Sequence, residues 1–138
     1  MRLLPTIAIA AMSVMVVPAQ EAPDNAAWQA SITGQIEAFR QEDGASALEF
    51  ASSGFQVQFD DPQLFYEAVL ASGYEPLMHS RSHSFGQFEK LDDENVLQIV
   101  LLVGPDQGLY EAIFHMIDEP KGWRVEGVAL RREEGIAI

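Results

Sequence analysis

The chain has 138 residues, of which 48% are hydrophobic and 21% charged; 21 acidic residues against 8 basic ones give a net charge of −13, and there is no cysteine. A field of that sign repels phosphate backbones and anionic lipid surfaces, so no nucleic-acid partner is expected. Without cysteine, a disulfide scaffold and any thiolate-bound metal are excluded.

Met1-Arg2 carries one positive charge, and Leu3 to Ala19 carries none. A short basic start, an apolar run and a small residue before the polar Gln20-Glu21-Ala22-Pro23 make up a secretory leader. Val17-Pro18-Ala19 predicts cleavage between Ala19 and Gln20, and a periplasmic or secreted product. A retained membrane anchor is the competing reading. However, a span needs about 20 apolar residues. This run is shorter, has proline near both ends and is followed by no cationic cluster. No stable membrane insertion is therefore expected after cleavage. Removal of the leader takes away Arg2 but no acidic residue, so the charge moves from −13 to −14. The remaining 119 of the 138 residues are the size of one domain. We read residues 20–25 as a short polar lead, 26–132 as one α+β domain and 133–138 as a tail.

The first half of the domain has a helical period. A helix from Ala26 to Gln41, capped by Asp24 or Asn25, places Trp28, Ile32, Ile36 and Phe39 on one stripe. A second helix, Ala45 to Ser52, follows Asp43-Gly44 and turns Leu48, Ala51 and Phe55 inward. The third has Asp61 as N-cap, Pro62 at the first helical position and Gly73 at its end. Its inward face is Phe65, Val69 and either Ala68 or Ser72, with Leu64 and Tyr66 at the flanks.

After Ser84 the period becomes that of strands. Phe85 to Leu91 puts Phe85, Gln87, Glu89 and Leu91 on one face, and Gly86, Phe88 and Lys90 on the other. Val96 to Val103 is apolar except at Gln98, the pattern of a strand covered on both faces. Leu109–Ile117 and Trp123–Leu130 follow, separated by breakers at Gly104-Pro105 and Pro120-Lys121-Gly122. Short connections between consecutive strands predict an antiparallel meander, and helices before strands predict an α+β fold.

Gly73-Tyr74-x-Pro76 and Gly122-Trp123-Arg124-Val125-x-Gly127-Val128-x-Leu130 resemble the bacterial domain-of-unknown-function family 4864. The closing stretch is also similar to the sheets of nuclear transport factor two-like (cystatin-like) proteins. That resemblance implies a curved antiparallel sheet wrapped around a long N-terminal helix, with a cavity between them. With the elements above, the expected fold is three N-terminal helices packed on one curved antiparallel sheet of about four strands, shaped as a cone. Trp28, Phe65, Val69, Phe88, Tyr110, Phe114 and Trp123 are its expected lining. The fold serves enzymes, carriers and dimerisation modules alike, so it implies no single function.

The residues that could carry chemistry are few. His79 and His83 are four apart, but an extended chain would separate them by about 13 Å. Arg81 between them would repel a cation, so a polar connector competes with a weak metal site. In Leu109–Ile117, Glu111 and His115 alternate with Ile113, opposite Tyr110, Ala112, Phe114 and Met116. If the second set packs inward, Glu111 and His115 face solvent. If the first set lines the cavity, they form a polar pair able to share acid–base work, with Tyr110, Tyr66 or Tyr74 as partner. There is no nucleophile elbow, zinc-binding helix or phosphate loop. Trp28 and Trp123 read as core or core-edge residues rather than a cofactor stack. Asp92-Asp93-Glu94 and Glu133-Glu134 read as solvated turns. No cofactor is expected. These features predict an exported accessory domain that binds a small apolar ligand or a partner protein. The alternatives are a cofactor-independent lyase or isomerase, and a homodimerisation module built on the outer face of the sheet.

Overall fold

Trp28, Ile32, Ile36 and Phe39 are all buried, so the stripe read from their spacing is the face by which helix α1 (Asn25–Arg40) meets the core. In the computed structural model residues 25–134 are described; the predicted leader, its cut at Ala19 and residues 135–138 lie outside them. Among the described residues no helix is long and apolar enough to cross a membrane.

Four more helices follow, where three in total were expected: α2 (Gly44–Glu49), α3 (Ser53–Gln58), α4 (Pro62–Ala71) and α5 (Glu75–Met78). Asp43 caps α2, accepting from the Ser46 N–H at 3.1 Å and the Ser46 hydroxyl at 2.7 Å. Asp61 caps α4 by accepting from the Gln63 N–H at 2.9 Å, with Pro62 in the first turn and Gly73 in the left-handed region at φ 92°. The two unexpected helices have six and four residues, less than two turns each, and are too brief to display a period. Phe55, expected at the end of the second helix, belongs to α3 instead. Tyr66, expected at a flank of α4, is buried.

The sheet is a four-stranded antiparallel meander, in the order β1 (Ser82–Lys90), β2 (Asn95–Val103), β3 (Leu109–Glu119), β4 (Gly122–Arg132). The fold is therefore α+β, with all the helices before the strands. A bulge between Phe85 and Phe88 corrects the expected faces of β1. Phe85 pairs with Val100 and Phe88 with Gln98, two buried residues of the same β2 face, so both phenylalanines point towards the helices. A second bulge lets Gly127 oppose His115 while Val125 opposes Met116.

Ala112, Phe114 and Met116 are buried, which settles the two-way reading of β3: Glu111, Ile113 and His115 lie on the opposite face. The helices pack on the first of these faces, through contacts of α1 with β4 and of α5 with β2. The expectation that β2 is covered on both sides is met on one side by the described residues.

Candidate functional site

An exposed sheet edge is a row of unpaired backbone groups. Residues 50–52 cover part of the β4 edge through an isolated parallel bridge between Ala51 and Val125. The Val125 N–H donates to the Phe50 carbonyl at 2.8 Å, and the Ser52 N–H donates to the Val125 carbonyl at 2.9 Å. Three residues on, the Tyr74 hydroxyl donates to the Val128 carbonyl at 2.6 Å. The chain that runs from one clamp to the other carries α3 and α4, and it stands off the sheet far enough to leave a cavity of about 340 Å³.

Phe39, Ala51, Phe65, Leu77 and Val125 are its buried apolar members, and Phe55, Phe59, Val69, Tyr74 and Val128 are half-buried. Gln58 and Ser72 are the exposed lining residues. Phe65 is the hub of the aromatic part. Its ring stacks on Phe39 at 6.1 Å and receives Phe59 edge-on at 5.5 Å and Phe55 at 6.3 Å. Buried Gln35 supplies a polar group, and its amide nitrogen donates to the Ala47 carbonyl at 3.1 Å. None of the fifteen lining residues is Asp, Glu, Lys, Arg or His. The site can therefore take up apolar surface and offer a few neutral hydrogen bonds, but it presents no ion to a charged ligand.

Of the seven residues expected to line a cavity, Phe65 and Val69 do so here. Trp28 and Phe114 are wholly buried core. Phe88 and Trp123 pack edge-on against Trp28 at 5.1 and 5.3 Å, forming an aromatic cluster at the N-terminal end of α1. Tyr110 borders a separate hollow of about 270 Å³ that it shares with His83, Leu101 and Leu109. Phe55, Phe59 and Gln35 were not anticipated as lining. The Phe55/Phe59 spacing of four was the available signal, hidden because α3 is so short.

The candidate acid–base residues are apart from the cavity. Glu111 accepts from Arg131 at 3.1 Å, and the His115 Nε2 meets the Asn95 side-chain oxygen at 2.8 Å, both on the face of the sheet opposite the helices. The Tyr110 hydroxyl donates to Asp106 at 3.1 Å. That bond adds to desolvation in raising the tyrosine above its ordinary value. Asp106 is held below the usual carboxylate range, chiefly by the Gly108 N–H. The Tyr66 hydroxyl lies 3.2 Å from His79, and burial, then Glu42 and Glu75, raise it.

The two histidines considered for a metal have separate partners. His79 follows α5 beside Tyr66, with Glu75 at 3.9 Å and Glu42 at 4.0 Å. His83 points from β1 to α1, where Arg40 donates to its Nδ1 at 3.1 Å and its Nε2 meets the Thr33 hydroxyl at 3.1 Å. Because a guanidinium only donates, Nδ1 must be the acceptor and Nε2 must carry the proton. Burial, and then the Arg40 charge, push His83 below its ordinary value.

No curated protein matches the chain. A crystal structure of a domain of unknown function with a cystatin-like fold, from Nostoc punctiforme, superposes with a TM-score of 0.57. The two are 14% identical, and the match covers 82% of this chain and 79% of that one. At that identity the likeness is one of fold. The model of the domain-of-unknown-function family DUF4864 matches residues 21–138, nearly the whole chain. With its helices-then-meander topology and its cystatin-like counterpart, the chain belongs to the DUF4864 family.

Proposed function

We propose that this protein binds a small, uncharged, apolar molecule outside the cytoplasm, in the cavity between α1, α3, α4 and β4. The observation that carries this is the lining: four phenylalanines, aliphatic side chains and neutral polar groups, with no ionic side chain among them. A fatty acid or other anion would leave its charge unpaired there, which is costly in an apolar site. A neutral ring system or a branched hydrocarbon with one polar function suits it better. The volume of about 340 Å³ lies at the small end of ligand sites, consistent with a compact molecule. The distance of Glu111 and His115 from this cavity favours binding over acid–base chemistry. We take the architecture as a shortened nuclear transport factor two-like cone, whose cavity sits beside the β4 edge.

Export rests on the uncharged run Leu3–Ala19 and the polar start after it. The family match takes up at residue 21, which is consistent with a leader ending at Ala19. Mass measurement on protein from the exported fraction should give an N-terminus at Gln20.

The binding test uses N-phenyl-1-naphthylamine, a neutral fluorophore that brightens in apolar sites. Titration should saturate at one equivalent, and Val69→Trp, which fills the cavity, should abolish the signal while thermal unfolding stays cooperative. Equal fluorescence from the variant would place the probe elsewhere and overturn the assignment.

A further inference from the structure

We infer that the cavity selects a neutral ring molecule that carries a hydrogen-bond donor, as a phenol or a ring alcohol does. The side-chain oxygen of Gln35 receives that donor. Given the binding role proposed above, on which this rests, what is added is the chemistry of the ligand's one polar function.

Gln35 lies on α1 and is only 3% exposed, yet it borders the cavity. Its amide nitrogen donates to the Ala47 carbonyl at 3.1 Å. A carbonyl oxygen only accepts, so this bond fixes which end of the amide is nitrogen and leaves the oxygen on the other side. That oxygen accepts from no group among the described residues. Nor is it sealed off. Among the described residues the unpartnered side-chain atoms shut away from solvent are Arg40 Nε and Ser52 Oγ. In a residue so deeply buried, the space that reaches the oxygen is the cavity.

A glutamine with a purely structural role looks different in this same protein. Gln98 accepts from Trp28 and Gln29 through its oxygen, and donates to the Gly86, Gln87 and Ile99 carbonyls through its nitrogen. Buried polar groups are ordinarily paired in this way, because leaving one unsatisfied is costly. Gln35 keeps its acceptor open at the place where a ligand can reach it.

The other polar groups on the wall point to the same ligand chemistry. The Tyr74 hydroxyl gives its proton to the Val128 carbonyl at 2.6 Å, and the Ser72 hydroxyl gives its own to the Ala68 carbonyl at 2.8 Å. Both oxygens can still accept, but neither has a proton left to offer. The second N–H of Gln35 stays on the nitrogen held against Ala47, and Gln58 is exposed. The wall therefore presents acceptors, and a ligand whose one polar atom is an ether or carbonyl oxygen is poorly matched to it. A cationic amine would supply donors but find no carboxylate among the lining residues. Gln35 and Phe39 are four apart on α1 and so are neighbours on one face. A ring whose hydroxyl sits on the Gln35 oxygen thus lies against Phe39, which stacks on the Phe65 hub.

The test compares two uncharged ligands, 1-naphthol and its methyl ether 1-methoxynaphthalene, as displacers of N-phenyl-1-naphthylamine near neutral pH. The ether is the more apolar, so an indifferent apolar cavity would hold it more tightly. Wild type should instead bind 1-naphthol about tenfold more tightly. Gln35→Met, which keeps the bulk and removes the acceptor, should reverse the order. That variant also gives up the bond to Ala47, so a second measurement uses wild type alone. The side-chain carbonyl-carbon resonance of Gln35 should move downfield on saturation with 1-naphthol, as a carbonyl does on accepting a hydrogen bond, and stay in place with the ether. Three results would overturn the donor assignment and leave the cavity's binding role standing. They are equal or tighter binding of the ether by wild type, a preference for 1-naphthol that survives in Gln35→Met, and a Gln35 resonance unmoved by 1-naphthol. Failure of the fluorophore and of both ligands to bind wild type would overturn the binding role and the donor assignment together.

Discussion

The indole N–H of Trp28 donates to the side-chain oxygen of Gln98 at 2.9 Å, joining α1 to β2 across seventy positions of sequence. The same Gln98 turns its amide nitrogen to the Gly86 carbonyl at 3.0 Å and the Gln87 carbonyl at 3.3 Å, the two residues that bulge out of the β1 ladder. One buried amide therefore satisfies a core tryptophan and the bulge together, and the glutamine is wholly inaccessible. This explains why Gln98, the one polar residue of the run Val96–Val103, faces inward.

Replacing Gln98 by leucine keeps the bulk and strands those partners. An unsatisfied buried donor or acceptor costs about 1–3 kcal/mol, so Gln98→Leu should lose roughly 2–4 kcal/mol in urea unfolding. A loss under about 1 kcal/mol would mean that water takes over the glutamine's bonds.

Gly44 opens α2 where α4 crosses it. A methyl group there would stand 2.5 Å from the Pro62 carbonyl oxygen, which is backbone and has little room to yield. Gly44→Ala should therefore destabilise by about 1–3 kcal/mol despite alanine's better helix propensity. An unchanged or raised melting temperature would show that the α2–α4 contact has room for the methyl group.

Trp123 is half-buried and leans on Trp28, whereas Trp28 is enclosed. Large buried aromatics cost about 3–5 kcal/mol on truncation to alanine. Trp28→Ala should fall in that range, and Trp123→Ala below it, at about 2–3 kcal/mol. Equal losses in denaturant titrations would mean that the two rings are buried to the same extent.

His83 gives the protein a pH dependence of known sign. Its folded value lies below 6.5 because of burial and of Arg40, with Glu37 opposing in part; Thr33 and Ser80, the other groups around it and Arg40, do not titrate. Between the lowered folded value and the unfolded one, the unfolded chain binds more protons, so stability rises with pH through that window. The contribution is complete above the unfolded value near 6.5 and is lost as the pH falls below it. Unfolding free energies measured from pH 7 down to 5 should decline more steeply for wild type than for His83→Gln. Parallel curves would mean that His83 is not desolvated.

Much of this architecture is legible along the chain. The four-residue recurrence from Trp28 to Ile36, continued by Phe39, describes α1; Asp61-Pro62 and Gly73 bracket α4; alternation and breakers mark out four strands in meander order. Each of these is a local property, set by the backbone period and by the capping chemistry of neighbouring residues, so sequence alone determines it. Tertiary structure decided what depends on distant groups. Alternation in β3 defines two faces but leaves open which is covered, and the helices arriving on the Phe114 side made that choice. The β1 bulge places Phe88 beside Trp28 against the simple alternation, and it is held by Gln98, twelve and eleven positions away from Gly86 and Gln87. The cavity draws Gln35 of α1, Phe59 just after α3 and Val128 of β4 together. No spacing in the chain encodes that meeting, because it is created only when α3 and α4 are carried across the β4 edge.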